Sequence, residues 1–450
     1  MSMTGPGGDP ASGKVEQNSE PEVCAALLKR ASCDGMPADP ARSAAHPRER
    51  SWTPWLGAVT DPRLIGPFGR RRGQEVSHAM KSASLLAALL ASLFGLAAQG
   101  APLATATRRP ALWAFYYAWY ETATGPHVRW SQWSEDKTTN PAPKPKSKAQ
   151  PLIGYYDSDN PEAVRWHIRS AKAAGIEAFL VSWWGAGSMS GRSFEKTILP
   201  LAARENFKVA LCSELAQFHE DIKALARETA DVLRRTKDSP GYLHVDGKPL
   251  IYLYQVPFAP KLMPEAFTEL RRDVEAEVGA VYWIMDKVTN VNDRGLDFPE
   301  EWLGIAEIPM MGFYGTFCIK RIWTYDKLFP HYQRLVNQAH AAGKKAFLPV
   351  HPGHDNSGFR PDDFFIIPRD DGATLRGYLR AATDAGADAI VVTSFNEWPE
   401  TTAVEPSSTW SDPYFYLKIL AEWKGLMFHQ PALPEKQAGV KNISPEAGKP

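Results

Sequence analysis

Residues 389–407 read AIVVTSFNEWPETTAVEPS. Ala389, Ile390, Val391 and Val392 form an apolar, β-branched run that opens directly into polar residues. That order predicts a buried strand ending in a functional loop. In the loop, Glu397 and Glu400 stand three residues apart, with Asn396 before them and Trp398 and Pro399 between them.

The same arrangement recurs upstream. Residues 112–117 (LWAFYY) read as a first strand, followed by Ala118-Trp119-Tyr120-Glu121. Residues 178–182 (AFLVS) open into Trp183 and Trp184, and 208–212 into Ser213 and Glu214. Further strands are expected at 249–254, at 281–285 (opening onto Asp286), at 302–308, at 345–350 (opening into HPGHD) and at 389–394. Helical segments are expected between them at 162–174, 194–205, 221–237, 264–278, 329–342 and 374–386, with a last one at 414–423. Asp159 or Asn160 with Pro161, which suits a first helical position, marks a helix start; Gly175 suits a helix end, and Asp157 and Asp159 are expected to cap. Strand and helix alternate about eight times, and the strands are continuously apolar. This predicts an α/β fold with a parallel sheet covered by helices, closed as a (β/α)8 TIM barrel over 111–428. A doubly wound open sheet is the competing topology, but no glycine-rich phosphate loop follows the first strand.

In a barrel, the residues just past each strand converge on one face. Here these are Trp119 and Tyr120, Trp183 and Trp184, Glu214, Asp286, His351 and Asp355, and then Asn396, Glu397 and Glu400. Two neighbouring carboxylates in an aromatic cleft suit glycoside cleavage, where one must hold a proton and the other a charge. Their proximity helps, because like charges push one pKa up. The bland alternative is a solvated surface pair. The 15 Trp residues, all but Trp52 and Trp55 lying from Trp113 onward, are open to two readings. They are either a large core or platforms for the C–H faces of sugars. His351 and His354, with Asp355, are a weak metal signal, because no third His lies nearby; polar contact to a sugar or a buried, satisfied role is expected instead. No metal or other cofactor is predicted.

With 51 basic and 51 acidic residues the formal net charge is zero, so nothing points to nucleic acid or an anionic membrane surface. Cys24, Cys33, Cys212 and Cys318 form no CxxC pair, which implies neither a disulfide framework nor a zinc site. From Met80 the chain reads MKSASLLAALLASLFGLAAQGAPLA, the layout of a secretory signal peptide over 80–100. Its apolar run is shorter than the ~20 residues a membrane span needs, so stable membrane insertion is not expected after its removal. Residues 1–79 show no sustained periodicity and are expected to be disordered or a non-native upstream extension. Residues 101–110 are expected to be a linker and 429–450 a tail. Export implies a secreted or periplasmic location.

Several stretches resemble glycoside hydrolase family 99, the endo-α-mannosidases and endo-α-1,2-mannanases. They are FYYAWY (115–120), IGYYDSDNPEAVRWHIRSAKAAGIEAFLVSWWG (153–185), GFYG (312–315), PGHDN (352–356) and SFNEWPETTAVEPS (394–407). Together they span nearly all of residues 111–425. The resemblance implies that Glu400 is the general acid/base. It implies that Glu397 takes the proton of the sugar's own 2-hydroxyl, which then forms a 1,2-anhydro sugar, with net retention. It also implies that Tyr117 and Trp184 line a sugar subsite, that Glu214 bonds sugar hydroxyls, and that Tyr314 is a substrate-side tyrosine. Trp119, Tyr120, Trp183, Asn396, Trp398, His351, His354 and Asp355 are expected to complete the substrate site. The family's motif reads NEWHE followed by a GTQIE-like segment. Here Pro399 replaces the His and TTAVE the continuation, which bears on substrate preference. A non-catalytic glycan-binding barrel is the alternative function, predicting binding without turnover. A glycosyl transferase would want a nucleotide-phosphate site, and none is visible.

Overall fold

The structure, a computed structural model, describes residues 109–134, 145–214, 221–254, 264–286, 309–310, 324–362 and 366–434. The expected signal peptide, the residues before it, the strand at 302–308 and Tyr314 lie outside the described residues.

Among the described residues, eight parallel strands make up the main sheet, with the short His244–Val245 strand antiparallel against the fourth: β1 (Ala111–Tyr116), β2 (Ala178–Trp183), β3 (Lys208–Glu214), β4 (Lys248–Tyr254), β5 (Tyr282–Asp286), β6 (Pro309–Met310), β7 (Phe347–Val350) and β8 (Ala389–Val392). Their order is β6-β5-β4-β3-β2-β1-β8-β7. β1 therefore pairs with both β2 and β8, with Trp113 opposite Ala178 on one side and Val391 on the other. The strands are apolar throughout because both faces are covered. The described helices are α1 (Pro161–Ala173), α2 (Met189–Ser193), α3 (Leu199–Arg204), α4 (Ile222–Thr236), α5 (Pro264–Val278), α6 (Tyr325–Ala341), α7 (Ala373–Asp384) and α8 (Phe415–Lys424). A π-helical turn, Phe194–Ile198, joins α2 to α3.

The sheet curls. The Phe115 ring of β1 lies 5.2 Å from Tyr252 on β4, three strands away along the sheet. Tyr282 of β5 and Phe347 of β7, near opposite ends of the sheet, meet at 6.2 Å. Trp113 stacks on the same Phe347 at 5.4 Å. Inward-pointing rings thus fill the interior as a packed core. β6 approaches β7 to within 8 Å between Cα atoms, but no ladder between them is among the described pairings.

The start of α1 follows from local chemistry. Asn160 caps it by accepting from the amides of Glu162 and Ala163, and Pro161 occupies the first helical position. The two aspartates expected to cap do other work. Asp157 accepts from the amide and hydroxyl of Thr122, at 2.9 and 2.8 Å. Asp159 lies 3.1 Å from His127. Beyond α1, Gly175 takes φ +79°, a left-handed conformation that glycine adopts freely. No described helix is long and apolar enough to cross a membrane.

Candidate active site

The loop after β8 is tied to the end of β1 as though the two strands continued to pair. The Phe395 amide donates to the Phe115 carbonyl at 2.8 Å. The Asn396 side chain then behaves like a peptide group. Its Oδ1 accepts from the Tyr117 amide at 2.7 Å, and its Nδ2 donates to the Tyr117 carbonyl at 2.9 Å. Asn396 is fully buried, so its amide orients Tyr117 and the loop and has no face left for a sugar. Replacing it by Ala leaves both backbone groups of Tyr117 without those partners. Unfolding free energy should fall by about 1–3 kcal/mol, readable as a lower denaturant midpoint.

Tyr120 plays a matching part. Its hydroxyl donates to the Asn396 carbonyl at 2.7 Å and accepts from the Trp398 amide at 3.1 Å, and its ring stacks on Trp133 at 4.0 Å. Trp398 is fully buried, with Nε1 donating to Glu405 at 2.8 Å. Trp183 falls on the opposite face of β2 from Ser182, whose hydroxyl reaches Glu214, so strand alternation turns it towards the helices. These four residues, expected to contact substrate, have the geometry of scaffold instead.

What remains is a compact set. Glu397 is buried, its amide bound to the Ser394 hydroxyl at 2.7 Å. Its Oε2 accepts from the Glu400 amide, also at 2.7 Å, which locks the two glutamates into one turn. The Glu400 side chain is the more open, 17% exposed. Across from them, Ser182 donates to Glu214 at 2.8 Å and accepts from the Trp184 indole at 3.1 Å. Trp119, half-buried, has its ring 4.6 Å from Tyr117 and 6.4 Å from Trp184. Burial, and then the charges of Glu214, Glu397 and Glu400, hold the Tyr117 phenol well above its ordinary pKa. Tyr117 is therefore where the three carboxylates and the aromatic wall meet.

Burial pushes the Glu400 carboxyl up to about 7, against the opposing field of Arg360. Burial and then the Glu400 charge raise Glu397 well above the usual carboxylate range, while the Glu400 amide pulls the other way. Such a pair keeps one proton and one charge near neutral pH. That is the composition of a general acid beside a base.

The 352–360 loop closes over Glu400. The Asp355 amide donates to the Glu400 carbonyl at 2.9 Å, and the Thr401 hydroxyl donates to the Asp355 carbonyl at 2.7 Å. Although burial acts against it, Ser357 and Lys148 hold the Asp355 carboxyl below its usual range. His354 Nδ1 lies 3.9 Å from Glu400, yet burial drives that imidazole down to about 3, so it meets Glu400 as a neutral ring and not as an ion pair. His351 is likewise held neutral, chiefly by burial, and packs 4.3 Å from Tyr378 of α7. Thr401 sits at φ +55°, a left-handed position that β-branched residues avoid. It is the position of the glycine in the GTQIE-like segment.

Sequence reasoning missed Ser182, Arg360, Tyr156, His167 and Glu405. Ser182 had a usable signal, as an inward strand position two residues before Trp184. The others had none, because their partners are remote in the chain.

The profile described as glycosyl hydrolase family 99 matches residues 109–426. The human glycoprotein endo-alpha-1,2-mannosidase-like protein is 23% identical over 359 residues, 69% of this chain and 74% of that one. The rat glycoprotein endo-alpha-1,2-mannosidase is 23% identical over 356 residues, 69% of this chain and 73% of that one. Among solved structures, the GH99 endo-alpha-mannosidase from Bacteroides thetaiotaomicron superposes with a TM-score of 0.55 at 21% identity, covering 69% of this chain and 96% of that one.

Proposed function

The chain belongs to glycosyl hydrolase family 99 and is a glycoside hydrolase; we propose that its Glu397–Glu400 pair cleaves α-mannosidic linkages with net retention. The observation that carries this reading is the buried turn after β8, where the Glu400 amide holds Glu397 and burial lifts Glu400 to about 7. The mannosidic bond is drawn from what the related mannosidases act on. The same reading has β6 and β7 close the sheet into a (β/α)8 barrel, with the site at the C-terminal ends of the strands. The segment starting at Met80 supports export by the secretory route.

In the first step Glu400 gives its proton to the glycosidic oxygen as the bond from C1 breaks. Glu397 takes the proton of the 2-hydroxyl, and that oxygen bonds to C1 to give the 1,2-anhydro sugar. In the second step Glu400, now charged, takes a proton from water. The hydroxide attacks C1, the C1–O2 bond breaks, and Glu397 returns its proton to O2. One water is consumed, and two inversions give retention. Tyr117, Trp119 and Trp184 offer the wall for the ring, and Glu214 an acceptor for its hydroxyls. Incubation with α-mannan and with glycans lacking mannose tests the substrate class. Release of mannose-containing oligosaccharides from the former alone supports it; cleavage of the latter alone overturns it.

The protonated form of Glu400 starts the reaction, so kcat should fall as pH rises through about 7. The positive field of Arg360 favours ionised Glu400. Arg360→Gln should therefore raise that pKa and move the alkaline limb to higher pH. A pH–kcat profile of both proteins checks the sign.

A further inference from the structure

We propose that Glu405 is a positioning residue for this reaction: its buried carboxylate gathers Trp398, Tyr156 and His167 and thereby fixes the turn that carries Glu397 and Glu400. The proposal rests on the roles given to those two glutamates above. Glu405 is fully buried. Its Oε2 accepts from the Tyr156 hydroxyl and from the Trp398 indole, both at 2.8 Å. Its Oε1 lies 3.2 Å from His167 Nε2, and His167 Nδ1 lies 2.9 Å from the Tyr116 hydroxyl.

The donors come from separate parts of the fold. Trp398 sits between the two glutamates, Tyr156 lies on the loop before α1, His167 on the buried face of α1, and Tyr116 on β1. An ionised carboxylate only accepts and an indole only donates. His167 bridges the Glu405 carboxylate at Nε2 and the Tyr116 hydroxyl at Nδ1. Burial and the Glu405 charge hold the Tyr116 and Tyr156 phenols protonated, as donors. The Tyr156 oxygen in turn accepts from Asn396 Nδ2 at 3.2 Å, and the Asn396 amide holds the Tyr117 backbone. The cluster therefore reaches both the acid–base turn and the aromatic wall without touching either reacting carboxylate.

Stability alone does not call for it. A buried charge is costly to desolvate, and apolar packing of similar volume commonly serves a core as well or better. What a fully satisfied polar cluster supplies is a single geometry. Here that geometry is the direction of the Trp398 peptide, and so the placement of the side chains on either side of it.

The test uses the full chain with Trp398→Phe, which removes one N–H and keeps a ring, and with Glu405→Gln and Glu405→Leu. Steady-state kinetics on an α-mannan oligosaccharide are joined by hydrogen exchange of peptides covering 394–402. Trp398→Phe should lose ~10-fold or more in kcat with KM little changed, since misplacement acts on the reacting geometry. Glu405→Gln, the same shape without the charge, should recover part of the activity lost in Glu405→Leu. Exchange over 394–402 should quicken in all three while peptides of β1–β4 keep their protection. Wild-type kcat in both Trp398→Phe and Glu405→Gln overturns the proposal, as does a loss confined to KM. If Glu405→Leu fails to fold, the other two variants decide. If the wild-type chain turns over no mannoside, the functional reading fails, and the exchange data alone decide the positioning role: unchanged protection over 394–402 refutes it.

Discussion

Glu400→Gln lowers kcat on an unactivated α-mannoside by about 10²–10⁴-fold, the usual worth of a positioned general acid–base. The amide keeps the shape and the backbone contacts of the loop, so the loss reports the proton and not the fold. The backbone amide at position 400 still donates to Glu397, which holds the turn as in the parent chain. The loss should depend on the leaving group. A mannoside carrying a nitrophenolate needs little protonation to depart, so Glu400→Gln should retain far more of its first-step rate on that substrate. An equal loss on both substrates would place Glu400 outside the acid role.

Glu397→Gln should cost at least as much, about 10⁴-fold, because an amide cannot take the 2-hydroxyl proton and no good leaving group replaces that step. Activated mannosides should not rescue it, in contrast to Glu400→Gln. The parent enzyme should also fail to turn over a 2-deoxy substrate that it still binds. If Glu397 attacked C1 directly, the 2-deoxy sugar would react and leave a covalent adduct on the protein, visible as an added sugar mass.

Much of the fold was legible because strands covered on both faces must be apolar from end to end. Six of the expected strands lie within two residues of β1–β4, β5 and β7, and α1 was marked at its start by the Asn160-Pro161 pair. The π-turn at 194–198 was not legible, since its residues are those of any helix. The last strand ends at Val392 and not at 394, where the chain turns to meet Phe115. The two glutamates could be placed because they follow a strand end. The division of the aromatic residues could not. Trp183 and Trp184 are neighbours in sequence, yet alternation sends one to the helices and brings the other to Ser182. Partners hundreds of residues apart hid the rest: Asn396 meets Tyr117 across 279 positions, and Glu405 meets His167 across 238.

Thr401 shows how far this chain departs from the NEWHE–GTQIE pattern it resembles. A left-handed threonine costs about 1–2 kcal/mol relative to glycine, and its hydroxyl offsets part of that by bonding Asp355. Pro399, buried between the two glutamates, brings no side-chain donor or acceptor where the pattern has a histidine. Whatever that histidine does for substrate choice, this chain must do with other residues.

The paired roles of Glu397 and Glu400 are tested most directly by the stereochemistry of the first product. Proton NMR of an α-mannan digest, recorded before mutarotation, should show the α-anomer at the new reducing end appearing first and the β-anomer growing in later. Initial appearance of the β-anomer would contradict the paired roles of Glu397 and Glu400, since a single displacement by water inverts the centre.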